Sequence, residues 1–342
     1  MLTVAVVGGA GYIGGELLRL ILGHPELTLA ATTSRRLAGR RVDGTHPNLR
    51  GVTDLTFIAP DQLDRYDVVL LATGHTEAMQ AVPGLLDRAG VLIDLSADFR
   101  LSDPSTYRRY YQVEHTHPEL IASFVTGLPE VHRKRIAEAD RISVPGCMAT
   151  AAMLALQPLA DAGLIAGLVT VDARTGSSGS GAVPSPANLH AERSGAMRVF
   201  APAGHRHEAE ISQSIGGRPV SMTATGIEAV RGVQVVCRVP VAEPVDEREV
   251  RIRYREFYRD EPFVRLVTTK AGLYRLPEPK ILAGTNYCDV GFAIDTQHRQ
   301  VLAIAALDNL VKGGAGNALQ CLNIRFGLPE RAGLDAIGLH PI

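Results

Sequence analysis

Short apolar, β-branched runs recur along the first half of the chain, at residues 3–7, 27–32, 66–73 and 91–96, and each is long enough for a buried strand. Between the first two runs, residues 16–22 carry apolar side chains at helical spacing and stop at Gly23-His24-Pro25. Residues 78–89 carry a second helical pattern, and Pro83 inside it predicts a break. Strand, helix, strand, strand, helix, strand in this order predicts a parallel sheet of the doubly wound kind. Residues 103–111, with Tyr107-Arg108-Arg109-Tyr110-Tyr111, predict a short amphipathic surface piece, and His115, His117 and His132 read as surface or capping histidines.

The pattern changes after residue 147. A helix begins there and continues through the apolar run 151–156, and β-branched alternating stretches follow at 168–173, 219–224, 233–239 and 301–307. Long connections between them predict a mixed or antiparallel sheet with helices on one face, one of those helices at 246–258. Residues 308–320 then run from a strand into a glycine-rich helix, which implies close backbone approach and a return to the first domain. The resulting architecture is α/β: a Rossmann-type parallel-sheet domain of residues 1–146 plus 311–342, and an α+β mixed-sheet domain of residues 147–310.

Composition narrows the class without naming a function. The chain has 342 residues, 46% hydrophobic and 21% charged, which suits two globular domains, and a net charge of −1 gives no general attraction to nucleic acid or anionic membrane. No apolar stretch approaches the ~20 residues that cross a bilayer. Cys147, Cys237, Cys288 and Cys321 are scattered without a Cys-x-x-Cys pair, so neither a zinc cluster nor a disulfide framework is expected, and a reducing, cytoplasmic setting fits best. The N-terminal residues read as a first strand rather than a signal peptide. No metal is expected, because no histidines or cysteines have ligand spacing.

Six stretches carry candidate chemistry. Gly9-x-Gly11-x-x-Gly14 sits between the first strand and the first helix, where Gly9, Ala10, Gly11, Tyr12 and Ile13 would receive a pyrophosphate on bare backbone. The second strand ends in Thr32-Thr33-Ser34-Arg35-Arg36 with no acid for a ribose hydroxyl; Ser34, Arg35 and Arg36 suit a 2′-phosphate, hence NADP rather than NAD. Thr73, Gly74, His75, Ser96 and Arg100 fall at strand ends, where ligands of open parallel sheets bind. Pro145-Gly146 turns the chain sharply and presents Cys147 at a helix start, where free amides favour a thiolate. Residues 175–181 form a loop of small donors able to wrap an oxyanion or phosphate with backbone amides. Finally, His205-Arg206-His207 precedes a helix-like run, two histidines flanking an arginine.

Gly8 to Gly14, Leu95-Ser96-Ala97-Asp98-Phe99-Arg100, Pro145-Gly146-Cys147, Gly204-His205-Arg206-His207 and Asp308-Asn309-Leu310-Val311-Lys312-Gly313 together resemble the N-acetyl-γ-glutamyl-phosphate reductases, from about residue 3 to the C-terminus. Thr33 to Gly39, His46 to Gly51, Ser185 to Arg193 and Arg198-Val199-Phe200 resemble more closely the branch acting on carrier-protein-bound α-aminoadipyl 6-phosphate in lysine biosynthesis. The resemblance implies a fold like that of the aspartate-semialdehyde and glyceraldehyde-phosphate dehydrogenases. It also implies NADPH-dependent reduction of an acyl phosphate to a semialdehyde through a thioester on Cys147. His205 or His207 would be the acid/base and the other an oxyanion donor. Ser178, Gly179 and Gly181 would support phosphate or cofactor, Asn309 would lie beside the nicotinamide, and Arg100, Met148, Ser177 and Arg206 would meet substrate.

Two departures bear on the substrate. Arginine-pathway members commonly carry tyrosine directly after the cysteine and proline two residues after it, where this chain has Met148-Ala149; and Phe200 stands where related sequences often have tyrosine. A larger acyl group, presented by an acidic amino-group carrier protein, therefore competes with free N-acetyl-γ-glutamyl phosphate, and the resemblance allows both substrates. From another class, a nucleotide-sensing module without catalysis would keep the glycine loop but need no thiol. A homodimer or homotetramer is expected from exposed strands of the second domain.

Overall fold

The computed structural model describes residues 1–342. Six strands, β1 (Leu2–Val7), β2 (Leu27–Thr33), β3 (Tyr66–Leu71), β4 (Ala89–Asp94), β5 (Val125–Thr126) and β6 (Arg141–Ser143), pair in parallel in the order β2-β1-β3-β4-β6-β5. The last four residues of β1, β3 and β4 are buried, which is why these strands are written as unbroken apolar runs. The chain steps from β2 back across β1 to β3, so the C-terminal ends of β1 and β3 flank the point where such sheets open a crevice. The helix Gly316–Arg325 packs on the helix Pro129–Glu138, and Asn317 Nδ2 donates to the Gly127 carbonyl at 2.7 Å. The expected return of the C-terminal helix is thus present.

A second, seven-stranded sheet comprises β7 (Val169–Thr175), β8 (Arg198–Ala201), β9 (Val220–Gly226), β10 (Val233–Pro240), β11 (Val264–Leu266), β12 (Cys288–Asp295) and β13 (Gln300–Leu307), in the order β11-β12-β13-β10-β7-β9-β8. It is mixed: β7 and β9 run parallel, while β10 is antiparallel to both its neighbours. Burial alternates along β7 and β10, the signature of a sheet covered on one face. The covering elements are the helices Cys147–Asp161 and His207–Ser214. A third helix, Glu247–Phe257, lies against the first and is fastened to it by Tyr254 and Tyr258, whose hydroxyls donate to the Ala155 and Leu154 carbonyls at 2.5 Å each.

The chain divides into two units, Met1–Pro145 with Gly314–Asp335, and Gly146–Gly313 with Ala336–Ile342. Residues 336–342, assigned by sequence to the first domain, join the second unit. Gly338 approaches Ile281 so closely that a Cβ would lie 2.1 Å from its carbonyl oxygen.

Several local expectations change. The helix Ala78–Leu85 contains Pro83 without a break and stops four residues short, because Ala89 already starts β4. A proline five residues into so short a helix removes a single ladder bond. Asp246 is not the first residue of its helix but its cap, accepting from Arg248 N at 3.1 Å. The 103–111 piece is a helix, Pro104–Tyr111, whose Tyr107 is fully buried and donates to Asp98 Oδ1 at 2.8 Å. His115 is a core residue, its ring edge-on to Phe99 and Tyr107 at 5.1 and 5.2 Å. His117 does sit at a helix N-cap.

Candidate active site

In the first unit the glycine loop divides its labour. A Cβ on Gly8 would meet the Ala72 carbonyl oxygen at 2.6 Å, one on Gly9 would meet Thr32 Oγ1 at 1.9 Å, and one on Gly14 would meet the Gly8 carbonyl oxygen at 2.4 Å. Gly8 and Gly14 are glycine because the backbone packs on itself there, and Gly9 because the Thr32 side chain fills the space beside it. Gly11 is different: it caps the helix Tyr12–Leu22, and its Cβ would find only one atom, at 3.8 Å. The amides of Tyr12, Ile13 and Gly14 begin the helix, where no intrahelical carbonyl reaches them, and its first turn carries no acid. An anion fits there.

Two buried hydroxyls near this loop, Thr32 Oγ1 and Thr73 Oγ1, have no hydrogen-bond partner within the chain. Thr73 lies two residues past the end of β3, so its hydroxyl suits a ligand at the β1–β3 crevice. Arg35 and Arg36 are exposed beyond β2; Arg35 meets Glu77 at 2.5 Å in a solvated pair that costs little to exchange for a phosphate. Ser34 Oγ accepts from Leu37 N at 3.2 Å and so shapes that turn. A dinucleotide with a 2′-phosphate fits these groups. The sequence reading missed His46, whose Nε2 lies 2.8 Å from the Gly9 carbonyl oxygen and whose ring fills the space beside Gly15.

Two first-unit candidates also hold the main chain. The Ser96 hydroxyl donates to Asp94 Oδ2 at 2.8 Å and accepts from Asp98 N at 3.1 Å, closing a buried turn. Burial pushes the Asp94 carboxyl up to about 7. Arg100 donates from Nε to the Val144 carbonyl at 2.8 Å and from a terminal nitrogen to the Leu95 carbonyl at 2.9 Å, clasping the ends of two strands.

In the second unit Cys147 opens the 15-residue helix Cys147–Asp161. The sulfur-bearing residue is half-buried, whereas twelve others of that helix are buried, Met148 among them at 4% exposure. Met148 packs among the core residues of that helix. The residue before it, Gly146, is where the site converges. Its amide donates to Glu210 Oε2 at 2.8 Å, and a Cβ there would lie 2.1 Å from His207 Nε2. The other oxygen of Glu210 stands 3.8 Å from the same ring nitrogen. On the opposite side, a Cβ on Gly313 would lie 2.6 Å from Cys147 Cβ.

His205 packs edge-on to His207 with ring centroids 4.5 Å apart, and its Nδ1 accepts from His207 N at 3.2 Å. Burial, and then the adjacent Arg206 charge, push His205 down to about 4, so it is neutral at pH 7. Glu208 braces the segment, accepting at Oε1 from Gly204 N and Met222 N at 3.0 and 2.8 Å. Neither Glu208, Glu210 nor Gly313 stood out as chemistry in the sequence. A residue three positions after His207 on a helix shares its face, which was the available signal for Glu210.

The 175–181 loop does not wrap an anion with its amides. Gly176, Ser177 and Ser178 donate to the carbonyls of Gly232, Ala229 and Val230, while Gly179 and Gly181 donate to Gly176 and Ser178. Ser178 Oγ in turn accepts from Asn309 Nδ2 at 2.9 Å, and Asn309 Oδ1 accepts from Gly232 N at 2.8 Å. Asn309, 2% exposed, thus stitches two loops together. Asp308 does the same next door, accepting from Leu310 N, Val311 N, Gly284 N and Arg231. Ser177 and Arg206 are half-buried. No group of three or more His, Cys, Asp or Glu side chains is arranged to hold a metal ion, and no helix is long and apolar enough to cross a membrane.

A parallel-sheet unit with an open helix N-terminus, and a mixed-sheet unit whose first helix opens on a cysteine just after a glycine packed against His207, together define a nucleotide-dependent oxidoreductase. The chain belongs to the semialdehyde dehydrogenase family: residues 3–139 match the profile described as its NAD binding domain and residues 147–309 that of its dimerisation domain. Within it, the LysW-L-2-aminoadipate 6-phosphate reductase of Deinococcus radiodurans is 44% identical, over 99% of this chain and 98% of that one. A protein of Thermomicrobium roseum that bears the same name provisionally is 46% identical over the whole of both. Among solved structures, aspartate semialdehyde dehydrogenase II from Vibrio cholerae superposes with a TM-score of 0.71 at 17% identity, over 96% of this chain and 99% of that one, which establishes the shared fold.

Proposed function

We propose that this protein uses NADPH to reduce a carrier-protein-bound acyl phosphate, α-aminoadipyl 6-phosphate on LysW, to the semialdehyde in lysine biosynthesis. The observation that carries the reading is the convergence of Cys147, His207 and Glu210 on Gly146. Near-full-length relatives whose names give that substrate supply the chemistry's object.

In this mechanism His207, placed against Gly146, takes the thiol proton, and the sulfur of Cys147 attacks the acyl carbon. Phosphate leaves, its bond to that carbon breaking as the C–S bond forms, and the acyl group rests on Cys147 as a thioester. The helix N-terminal amides after Gly146 favour the anionic sulfur before attack and again when it is expelled. Bound NADPH supplies the hydride that turns the thioester carbon into an aldehyde. His205, neutral at working pH, serves as a hydrogen-bonding partner in place of an acid. Tyr12, Ile13, Gly14, Thr73, Arg35 and Arg36 hold the cofactor. Residues 1–145 with the C-terminal helix form the cofactor domain, and the second domain carries catalysis and self-association through the open face of its sheet, where Thr170, Asp172, Arg174 and Arg238 point outward. In this reading the protein works in the cytoplasm as a homo-oligomer.

Assay in the oxidative direction tests the reading. LysW-bound α-aminoadipate semialdehyde with NADP and phosphate should give rapid phosphate-dependent NADPH formation. Equal turnover with free N-acetylglutamate semialdehyde would show that no carrier protein is needed, and turnover of the free substrate alone would assign the protein to the arginine pathway.

A further inference from the structure

We propose that Glu210 is a positioning residue of this reaction, acting through Gly146 and His207 to keep the imidazole ready to hold the thiol proton; the inference rests on the thioester mechanism above. Glu210 is 4% exposed, and a carboxylate so enclosed is stable only where donors or a cation meet it. Its two oxygens face different ways. Oε2 is held by the Gly146 amide at 2.8 Å, and Oε1 faces His207 Nε2 at 3.8 Å.

Two effects on Cys147 oppose one another. A negative charge beside a helix N-terminus weakens the pull of that terminus on a thiolate, whereas a negative charge beside an imidazole favours the imidazolium that accompanies the thiolate. The second prevails here, because the ring nitrogen is within 4 Å and the ring itself is packed on Gly146. The S–H bond breaks with its electron pair left on sulfur, the proton goes to His207, and Glu210 faces the new positive charge.

The other charged groups around His207 do not compete for this task. His205 is held neutral by burial and by Arg206, Arg206 carries the wrong sign, and Glu208 Oε1 is engaged by the amides of Gly204 and Met222. A purely structural Glu210 would act only as the acceptor of the Gly146 amide. Glutamine separates the two, because its carbonyl oxygen still accepts from Gly146 N while the charge is gone.

The test is the pH dependence of Cys147 alkylation by iodoacetamide on the full chain, read as the mass of the Cys147 peptide. In Glu210→Gln the alkylation midpoint should move to higher pH, and labelling at pH 7 should slow by about three- to tenfold. The acid limb of kcat/KM should move with it, with kcat falling more than KM changes. A midpoint that stays in place or moves down overturns the proposal. Should Glu210→Gln fail to fold, Glu210→Asp keeps the charge but draws it back by one carbon. It should show a smaller shift of the same sign, and no shift overturns the proposal equally. Labelling needs no substrate, so this outcome is separate from failure of the thioester reading, which would appear as turnover surviving in Cys147→Ser.

Discussion

His207 Nε2 occupies the space beside Gly146 where a side chain would otherwise begin, 2.1 Å from the position of a Cβ. Gly146 has φ −66° and ψ 150°, a conformation that alanine adopts without strain. Gly146→Ala therefore leaves the backbone intact and displaces the imidazole. A displacement of about 1 Å can cost on the order of 10²-fold in rate. Steady-state kinetics should show that loss in kcat/KM, with a thermal midpoint close to that of the parent protein.

Two glycines of the nucleotide loop should respond in opposite ways. Gly9→Ala drives a Cβ to 1.9 Å from Thr32 Oγ1, in a place with no free volume, and should lower stability by about 1–3 kcal/mol in urea titrations. Gly11→Ala meets open space within the chain and should keep its stability. It should weaken NADPH, because the methyl stands where the phosphates approach the helix; fluorescence titration of NADPH reads the difference.

Asp94 makes stability depend on pH. Its folded carboxyl titrates at about 7, above the unfolded value near 3.8, so the folded state binds more protons in that window. Stability should accordingly fall as pH rises from about 4 to about 7, by an amount on the order of a few kcal/mol. In Asp94→Asn that slope should flatten, as chemical denaturation at a series of pH values would reveal.

His205 has the opposite sign. Its folded value of about 4 lies below the unfolded 6.5, so the unfolded chain takes up the proton first and stability should be lost as pH falls from about 6.5 to about 4. His205→Gln should relieve that acid sensitivity. The same variant should retain the near-neutral limb of the kcat/KM profile, which His207→Asn should abolish.

The parts of this architecture that could be read along the chain are those set by local pattern. Unbroken apolar runs gave β1, β3 and β4, the glycine spacing located the helix Tyr12–Leu22, and Pro145-Gly146 located the start of the Cys147 helix. What stayed hidden is set by partners far away in sequence. The 175–181 loop read as a cradle of available amides because nothing near it announces that the carbonyls of Ala229, Val230 and Gly232 will take them. Ser96 and Arg100 sit at strand ends, where ligands bind, yet Asp94 claims the first and two main-chain carbonyls the second. His115 has the composition of a surface residue, and only the approach of Phe99 and Tyr107 buries it. The short strands β5, β8 and β11, all at sheet edges, are too brief to carry a period.

The most direct measurement compares Cys147→Ser with the parent protein for turnover of the acyl phosphate and for NADPH affinity. Replacing sulfur by oxygen removes the nucleophile and little else, so the reaction should fall to background while the cofactor dissociation constant stays the same. Turnover at the parent rate in Cys147→Ser would contradict covalent catalysis by this residue.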